Sequence, residues 1–406
     1  MNKNTVFSSA EIILPAVKEP EKWPVIACDQ FTSDPEYWYQ CEKTVEGSPS
    51  SYDFILPEAY LGSGKEIEKK EKIARAMERV NDYPTETVDG FIALKRTLPE
   101  KAVRYGLVGK IDLEHYDFSP ESKSLVRATE KTVISRIPPR VRIRAEATVE
   151  LPHILVFTRP GCGFIKKAFS LVGKKKPVYD LELMQGGGHI TGFSVTGKDC
   201  ETLSAEISSY EKGSGDILYA VGDGNHSLAA AKSFYEELKT KIGREALDHP
   251  ARYALCEIVD IDDPSIVFEP IFRVMTDCSP SDVLDKLAAV CGDGGEQCFT
   301  AVTSEGEYRF SFAEPDHALT VGTLQNFIDG YIEEHPSVKC DYIHGTEELR
   351  CLAERKGSIG FLFDGVEKND LFDYISKNGT YPRKTFSMGE ARSKRYYYEM
   401  RSIIPG

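Results

Sequence analysis

Residues 219–232, Y-A-V-G-D-G-N-H-S-L-A-A-A-K, decide how the centre of this chain folds. An apolar run that ends at Val221 is typical of a short strand, and two glycines flanking an aspartate interrupt it. From Leu228 onward, apolar residues recur at steps of three and four, so one helical face is apolar while charged residues lie off it. The stretch therefore predicts a strand, a tight turn and a helix.

The turn in this stretch is a candidate binding site. Free backbone N–H groups and the partly positive end of a helix favour phosphate or carboxylate. Four polar residues crowd the same place: Asp223, Asn225, His226 and Ser227. The alternative is structural, with Asp223 or Asn225 capping the helix and His226 packing in its first turn. The density of polar groups between two apolar elements favours a site.

Length and composition indicate a soluble protein of several domains. At 406 residues and 45.4 kDa, the chain can form two or three domains that each bury a core. Its 41% hydrophobic and 28% charged residues are ordinary for a globular protein, and no run of about 18 apolar residues exists to span a membrane. A secretory signal is not evident, because the first apolar run stops at Pro15. We expect a cytoplasmic protein with no membrane partner.

Charge and cysteine content exclude further classes. The net charge of −14 and the pI near 5.2 argue against broad nucleic-acid binding, because neutralising phosphates requires a basic face. The 10 cysteines are scattered and form no C-x-x-C pair, which suits neither a zinc ribbon nor a redox dithiol. In a long intracellular chain we expect such cysteines to be reduced thiols.

Two polar groups earlier in the chain are further candidates. Asp29 follows the apolar run V-I-A-C and is a candidate ligand or base, although an aspartate at a strand end is more often a turn former. Arg127, Thr129 and Glu130 place a guanidinium, a hydroxyl and a carboxylate within four residues. Such a group could hold phosphate or act as a base, and an exposed salt-bridged loop would look the same.

A glycine run before a histidine is another candidate. In M-Q-G-G-G-H, Gly188 and His189 follow two glycines that permit close backbone approach to a ligand. A hairpin turn is the favoured single explanation of the run, because residues 181–183 and 190–195 can pair across it. Residues 141–151 alternate apolar and polar side chains, which predicts a strand.

The order of these strings resembles a known family over nearly the whole chain. The strings are Asp29, R-A-T-E-K-T at 127–132, G-H at 188–189, D-G-N-H-S at 223–227, E-P-I-F-R-V at 269–274, I-H-G at 343–345 and P-R-K-T at 382–385. They resemble a widespread bacterial and archaeal family of uncharacterised conserved proteins, sometimes labelled SpoOJ-like. The central string is similar to the signature of the ParB and sulfiredoxin superfamily, whose members bind nucleotide phosphates and include free-serine kinases.

The resemblance implies a fold and a domain division. The fold would be α+β (mixed α/β), with a ParB/sulfiredoxin-like core and a C-terminal α/β extension. The catalytic or ligand-binding region would span residues 1–262, and the extension residues 263–406. Ser227 stands where the signature has an arginine, so Arg127, Arg159 and Arg273 are candidates to supply the missing charge.

The resemblance also implies a function and a site. The chain would be a nucleotide-dependent phosphotransferase that uses ATP or ADP with magnesium and acts on a small hydroxylated metabolite such as an amino acid. His226 would contact the transferring phosphoryl group, Asp223 would orient magnesium or His226, and Glu130 or Asp29 would take the substrate proton. The nucleotide would lie against residues that supply backbone and polar contacts: Gly222, Gly224, Asn225, Ser227, Arg127, Gly188 and His189.

Two other functions stay open. The same turn could sense a nucleotide or another anion without turnover, with the C-terminal part contacting a partner. A DNA-associated role in the SpoOJ/ParB manner is disfavoured by the acidic balance and by the lack of an evident helix-turn-helix. The substrate, the nucleotide and the oligomeric state are not set by the sequence.

Overall fold

The computed structural model shows a mixed α/β protein that divides into two compact units. It describes residues 5–32, 34–60, 62–151 and 153–406, without the side chains of Asp29, Glu58 and Asn81. One unit comprises Met1–Ile266 and Gly389–Gly406, and the other comprises Val267–Met388. The division between residues 262 and 263 as a boundary of independent domains stays a prediction. Within the described part of the chain, no helix combines the length and apolar character needed to cross a lipid bilayer.

The first unit is built on a large mixed sheet. Its helices are α1 (Pro35–Val45), α2 (Lys65–Glu78), α3 (Ile137–Ala145), α4 (Phe164–Val172), α5 (Gly197–Gly213) and α6 (Asn225–Ile242). Its strands up to residue 266 are β1 (Phe7–Ser8), β2 (Ala10–Pro15), β3 (Val25–Ile26), β4 (Thr85–Thr97), β5 (Val103–Asp112), β6 (Tyr116–Asp117), β7 (Val126–Ala128), β8 (Val149–Glu150), β9 (Leu155–Thr158), β10 (Tyr179–Glu182), β11 (His189–Thr196), β12 (Tyr219–Asp223) and β13 (Tyr253–Asp260).

The main sheet has the strand order β10-β11-β4-β5-β13-β9-β12-β7-β6, with β1 paired to β5 and β2 to β4. Successive residues of a strand point to opposite faces, so each face has its own core. On β4, Leu94 belongs to the cluster that contains Trp23 and Trp38, while Ala93 belongs to the cluster that contains Tyr219. The sheet is therefore covered on both faces.

The second unit has a smaller sheet. Its helices are α7 (Pro280–Val290), α8 (Thr320–Glu334), α9 (Thr346–Ala353) and α10 (Leu371–Asn378). Its strands are β14 (Phe268–Thr276), β15 (Cys298–Thr303), β16 (Gly306–Ser311), β17 (Lys339–His344), β18 (Ile359–Phe363) and β19 (Phe386–Met388). The order is β16-β15-β18-β14-β17, and β19 pairs with the start of β14. Apolar residues of α7, α8 and α9 cover it, among them Leu287, Leu324 and Leu349.

The last residues of the chain return to the first unit. Strand β20 (Tyr396–Tyr397) pairs with β3, and β21 (Arg401–Ser402) pairs with β8. Between them, Met400 forms a bridge with Ile13. Residues 389–406 are therefore an integral part of the first unit, although more than a hundred residues of the second unit separate them from β13 in sequence.

The predicted strand at residues 141–151 is wrong over most of its length. Residues Ile137–Ala145 form helix α3, and only Val149–Glu150 are a strand. Prolines at the first two positions after Ile137 preset backbone angles that suit a helix start. Ile137 and Val141 are four residues apart, so they lie on the same face of a helix. That face is buried against Ala229 and Ala230 of α6, which stabilises a helix here in spite of the two-residue alternation.

Candidate functional site

The strand, turn and helix predicted from residues 219–232 are confirmed. Strand β12 ends at Asp223, Gly224 adopts a left-handed conformation with φ +79°, and α6 begins at Asn225. A Cβ on Gly224 would lie 3.1 Å from the Cα of Ile154, and one on Gly222 would lie 2.5 Å from the ring of Phe157. Both glycines are therefore required for the turn to lie against β9.

The first turn of α6 has the character of an anion site. Within the described structure no side chain caps it, because the residue before the helix is Gly224. The Asp223 carboxylate accepts a hydrogen bond from the Gly224 N–H at 2.8 Å, so it braces the turn. Asn225 is 6% exposed, and its Oδ1 has no hydrogen-bond partner among the described residues. A buried amide oxygen without a donor is costly unless a ligand supplies one.

The loop after β7 lies beside this turn because β7 and β12 run parallel and end at the same edge of the sheet. Thr129 donates from its hydroxyl to the Val221 carbonyl at 2.7 Å. The Val133 N–H donates to His226 Nε2 at 3.2 Å. Because Nε2 accepts, the neutral imidazole carries its proton on Nδ1. Thr132 is buried, and its Oγ1 lacks a partner in the described structure.

Glu130 lies within this loop, two residues beyond the end of β7, and is half-buried. The structure therefore brings Glu130 to the edge of the sheet that carries Asp223, Asn225 and His226. Gly222, Gly224 and Ser227 belong to the same short stretch of chain and therefore lie at this edge as well.

Ser227 has a polar neighbour that the sequence did not indicate. Its Oγ lies 3.4 Å from His153 Nε2. The ring of His153 stacks on the ring of Tyr397, with centroids 4.7 Å apart and planes at 28°. His153 is therefore held between the first turn of α6 and strand β20.

A buried lysine supplies the positive charge at the turn. Lys394 Nζ lies 3.6 Å from Asp223 Oδ2, and the lysine is 8% exposed. The sequence contains a basic cluster at residues 392–395, but nothing in its spacing connects that cluster with residue 223. Only the return of residues 389–406 to the first unit brings them together.

Arg96 fixes the backbone on both sides of Lys394. This arginine is 1% exposed, and burial lowers its pKa. Its guanidinium donates to four carbonyls: Ser393 at 3.2 Å, Lys394 at 2.5 Å, Arg392 at 2.9 Å and Gly187 at 3.1 Å. Segment 392–394 and the glycine run are thus tied to one buried side chain, which sets the position from which Lys394 reaches Asp223.

Arg395 anchors the same segment by ion pairs. Its Nε lies 2.8 Å from Glu257 Oε2, its Nη2 lies 2.7 Å from Glu399 Oε2, and all three side chains are buried. Burial raises the pKa of Glu257, although the guanidinium groups around it act in the opposite direction. Removing Arg395 would take the ion-pair partner away from two buried carboxylates, which costs about 3–5 kcal/mol.

Two predicted arginines lie elsewhere in the first unit. Arg127 is a buried residue of β7, and its Nη2 pairs at 3.3 Å with Oδ2 of Asp216, which precedes β12. Arg159 Nη2 lies 3.5 Å from Asp216 Oδ1 at the same edge, beside an open cleft of about 690 Å³ lined partly by Arg159 and Tyr210. Because Asp216 precedes β12 and Asp223 ends it, these arginines are at the edge opposite the turn. Arg273 belongs to the second unit.

Gly188 and His189 are also remote from the turn. His189 begins β11, and its ring lies 2.7 Å from Asp180 Oδ1 and 3.0 Å from Glu182 Oε1. Strands β11 and β12 run in the same direction and are five strand spacings apart, roughly 24 Å. His189 starts its strand while Asp223 ends its own, so the two are at opposite edges. The side chain of Asp29 lies outside the described part of the structure.

The predicted magnesium role of Asp223 is compatible with the oxygen atoms at the turn. Among the described residues, no group of three or more His, Cys, Asp or Glu could hold a metal ion by itself. Magnesium in nucleotide sites commonly needs only one or two carboxylates in addition to phosphate and water oxygens. The carboxylate of Asp223 and the unpartnered Oδ1 of Asn225 fit that requirement in donor type.

A family model described as "Protein of unknown function (DUF1015)" matches residues 14–365. The chain belongs to this DUF1015 family. The match covers most of the chain and runs through the turn at Asp223. Among curated proteins, none matches.

Several solved structures show a weak likeness to this DUF1015 protein. A mutant free serine kinase in complex with ADP is 11% identical, with 74% of this chain and 94% of that chain covered and a TM-score of 0.40. A mutant of the same kind in complex with AMP has the same identity and TM-score, with 71% and 90% covered. A conserved hypothetical protein from Pyrococcus furiosus is 11% identical, with 71% and 92% covered and a TM-score of 0.37. At these values the likeness assigns no ligand and no activity.

The family finding corrects the resemblance drawn from the sequence. The SpoOJ-like family with a ParB/sulfiredoxin-like motif is wrong, because the DUF1015 model matches and no ParB or SpoOJ family is found. A ParB/sulfiredoxin-like core is likewise not confirmed. The physical reason is that a short string such as D-G-N-H encodes a strand, a left-handed glycine and a helix start. That local solution recurs on unrelated folds and does not identify one of them.

Proposed function

We propose that this DUF1015 protein binds the phosphate groups of a nucleotide at the first turn of α6 and transfers a phosphoryl group to a small hydroxylated metabolite such as an amino acid. One observation carries the proposal: at an uncapped helix start beside a buried lysine, the Asn225 Oδ1 has no donor among the described residues. The helix start and Lys394 favour an anion. The amide oxygen favours a hydroxyl or a cation. A nucleotide supplies phosphates, ribose hydroxyls and associated magnesium at once.

The residues at the turn have distinct roles in this proposal. Lys394 and the N–H groups of the first helical turn bind phosphate oxygens. His226, whose Nε2 accepts from the Val133 N–H, would contact the transferring phosphoryl group. Asp223 and Asn225 would hold a magnesium ion through their side-chain oxygen atoms. When bound, magnesium would neutralise charge on the phosphates.

Glu130 is the proposed acceptor of the substrate proton, with Asp29 as the alternative. Glu130 lies on the loop that positions His226 through Val133, which places a carboxylate at the same edge of the sheet. Phosphoryl transfer depends mainly on positioning and charge neutralisation, and a positioned base adds about 10²–10⁴ in rate.

Calorimetry with ATP, ADP and CTP, with and without Mg²⁺, tests the binding step. A turnover assay over a panel of amino acids and other hydroxylated metabolites then tests the transfer. Binding together with a phosphorylated product supports the proposal. Binding without any product would favour a nucleotide sensor instead. No binding of any nucleotide by the folded protein would overturn both.

A further inference from the structure

Ser227 and His153 are arranged as a nucleophile and its general base are arranged in enzymes. Ser227 Oγ and His153 Nε2 are 3.4 Å apart, a separation common for such pairs before a substrate tightens them. Both residues are half-buried, so the Ser227 hydroxyl is partly shielded from solvent and still accessible to a ligand. The stack of His153 on Tyr397 holds the imidazole in place.

The position of Ser227 sets what it can attack. It is the third residue of α6, in the same turn as Asn225 and His226. A nucleotide whose phosphates lie against this turn would bring a phosphorus atom close to the Ser227 hydroxyl. We propose that Ser227 is a phosphoryl acceptor, so that the protein phosphorylates itself with a nucleoside triphosphate; this inference rests on the proposed nucleotide site.

The step is balanced without any further reactant. The Ser227 oxygen forms a bond to the γ-phosphorus, and the bond between that phosphorus and the β,γ-bridging oxygen breaks. The hydroxyl proton passes to His153 Nε2, and the nucleoside diphosphate leaves. The products are phosphoserine and an imidazolium ion.

The product is stabilised where it forms. A phosphoserine carries about −1.5 to −2 charge, and this charge is favourable at the start of a helix. Lys394, which already pairs with Asp223 at 3.6 Å, adds a positive charge to the same turn. The new phosphate occupies the place of nucleotide phosphates, so the modified protein binds nucleotide more weakly than the unmodified one.

Incubation of the full chain with ATP labelled at the γ-phosphate, followed by peptide mass spectrometry, tests the inference. The expected result is a phosphate on Ser227. S227A abolishes the label, S227T retains it, and the matched control S233A on the same helix labels like the wild type. H153A slows labelling by about 10²–10⁴-fold. K394M, which keeps Ser227 and His153, loses labelling if the chain's own site is responsible rather than a contaminating kinase. Circular dichroism of each variant checks folding.

The outcomes separate this inference from the proposed function. If the wild type binds ADP by calorimetry but never carries phosphate on Ser227, the inference is overturned while the nucleotide site stands. Labelling of S227A at an unchanged rate overturns it as well. If the folded wild type binds no nucleotide, the proposed function fails, and this inference falls with it.

Discussion

Two glycine-containing strings that end in histidine, G-G-G-H at 186–189 and D-G-N-H at 223–226, look alike in sequence and differ in the structure. In the first, Gly187 O accepts from Arg96, and the His189 ring contacts two carboxylates of the neighbouring strand β10. In the second, the Asn225 Oδ1 is left without a donor among the described residues, beside an uncapped helix. A candidate site is therefore marked less by its residue types than by polar atoms that the fold does not satisfy.

The two strings are nevertheless connected. Arg96 binds the carbonyl of Gly187 and the carbonyls of segment 392–394, and Lys394 of that segment reaches Asp223. The glycine run thus has a structural role in the position of the lysine. Substitutions in residues 223–226 should therefore lower the rate of phosphoryl transfer, while substitutions in residues 186–189 should lower the stability of the fold.

The largest expected effect separates the two histidines. His226→Ala should lower phosphoryl transfer by about 10²–10⁴-fold, because it removes the donor proposed to contact the transferring group. His189→Ala, at the opposite edge of the sheet, should leave the rate within a few-fold of the wild type. Single-turnover kinetics measures both. Equal losses in the two variants would remove the distinction between the strings.

Arg96→Met should destabilise the protein by roughly 3 kcal/mol or more, because four carbonyls lose a charged donor and three of these hydrogen bonds are buried. Arg79→Met is the matched control, since Arg79 is an exposed arginine whose replacement should cost no more than about 0.5 kcal/mol. Urea unfolding monitored by circular dichroism gives both values. If Arg96→Met cost no more than the control, the hydrogen bonds of Arg96 would make no measurable contribution to the free energy of unfolding.

Lys394→Met should weaken ADP binding by about 10- to 100-fold, the equivalent of one charged hydrogen bond of about 1.5–3 kcal/mol. Methionine keeps most of the side-chain volume, so the packing changes little. Lys198→Met, at an exposed position on α5, should bind ADP like the wild type. Titration calorimetry compares the three proteins. An unchanged affinity in Lys394→Met would exclude this lysine from the phosphate site.

The smallest effect concerns His189 and pH. Partial burial disfavours the charged ring, but hydrogen bonds with Asp180 and Glu182 outweigh it and raise the pKa of His189. The resulting stabilisation is fully present below the unfolded-state pKa of about 6.5, and it is lost as pH rises through the folded-state value. These side chains are partly exposed, so we expect about 0.2–1 kcal/mol. Unfolding of the wild type and His189→Gln between acidic and alkaline pH should show the difference only at the acidic end.

Some elements of this protein could be predicted from the sequence because residues close to one another in the chain determine them. The strand, left-handed glycine and helix around Gly224 are set by neighbouring residues, and so is the hairpin of β10 and β11 across the glycine run. Helix α3 was missed because its two-residue alternation conceals a helical face. That face is stabilised by Ala229 and Ala230 of α6, far away in sequence.

The site could be predicted only in part for the same reason. Asp223, Asn225 and His226 lie within four residues of the sequence, and Glu130 is close to them because β7 runs parallel to β12. Lys394 and His153 carry no such signal. They reach the turn through the return of the C-terminal segment and through strand pairing, which no pattern within a short window records.

A crystal structure of the protein with ADP and Mg²⁺ tests the central claim most directly. We predict that the diphosphate lies against the first turn of α6, with an oxygen within hydrogen-bond distance of Lys394 Nζ. The Asn225 side chain should contact the ligand or its magnesium. Diphosphate bound instead beside Gly188 and His189, or in the cleft beside Arg159, would contradict the account.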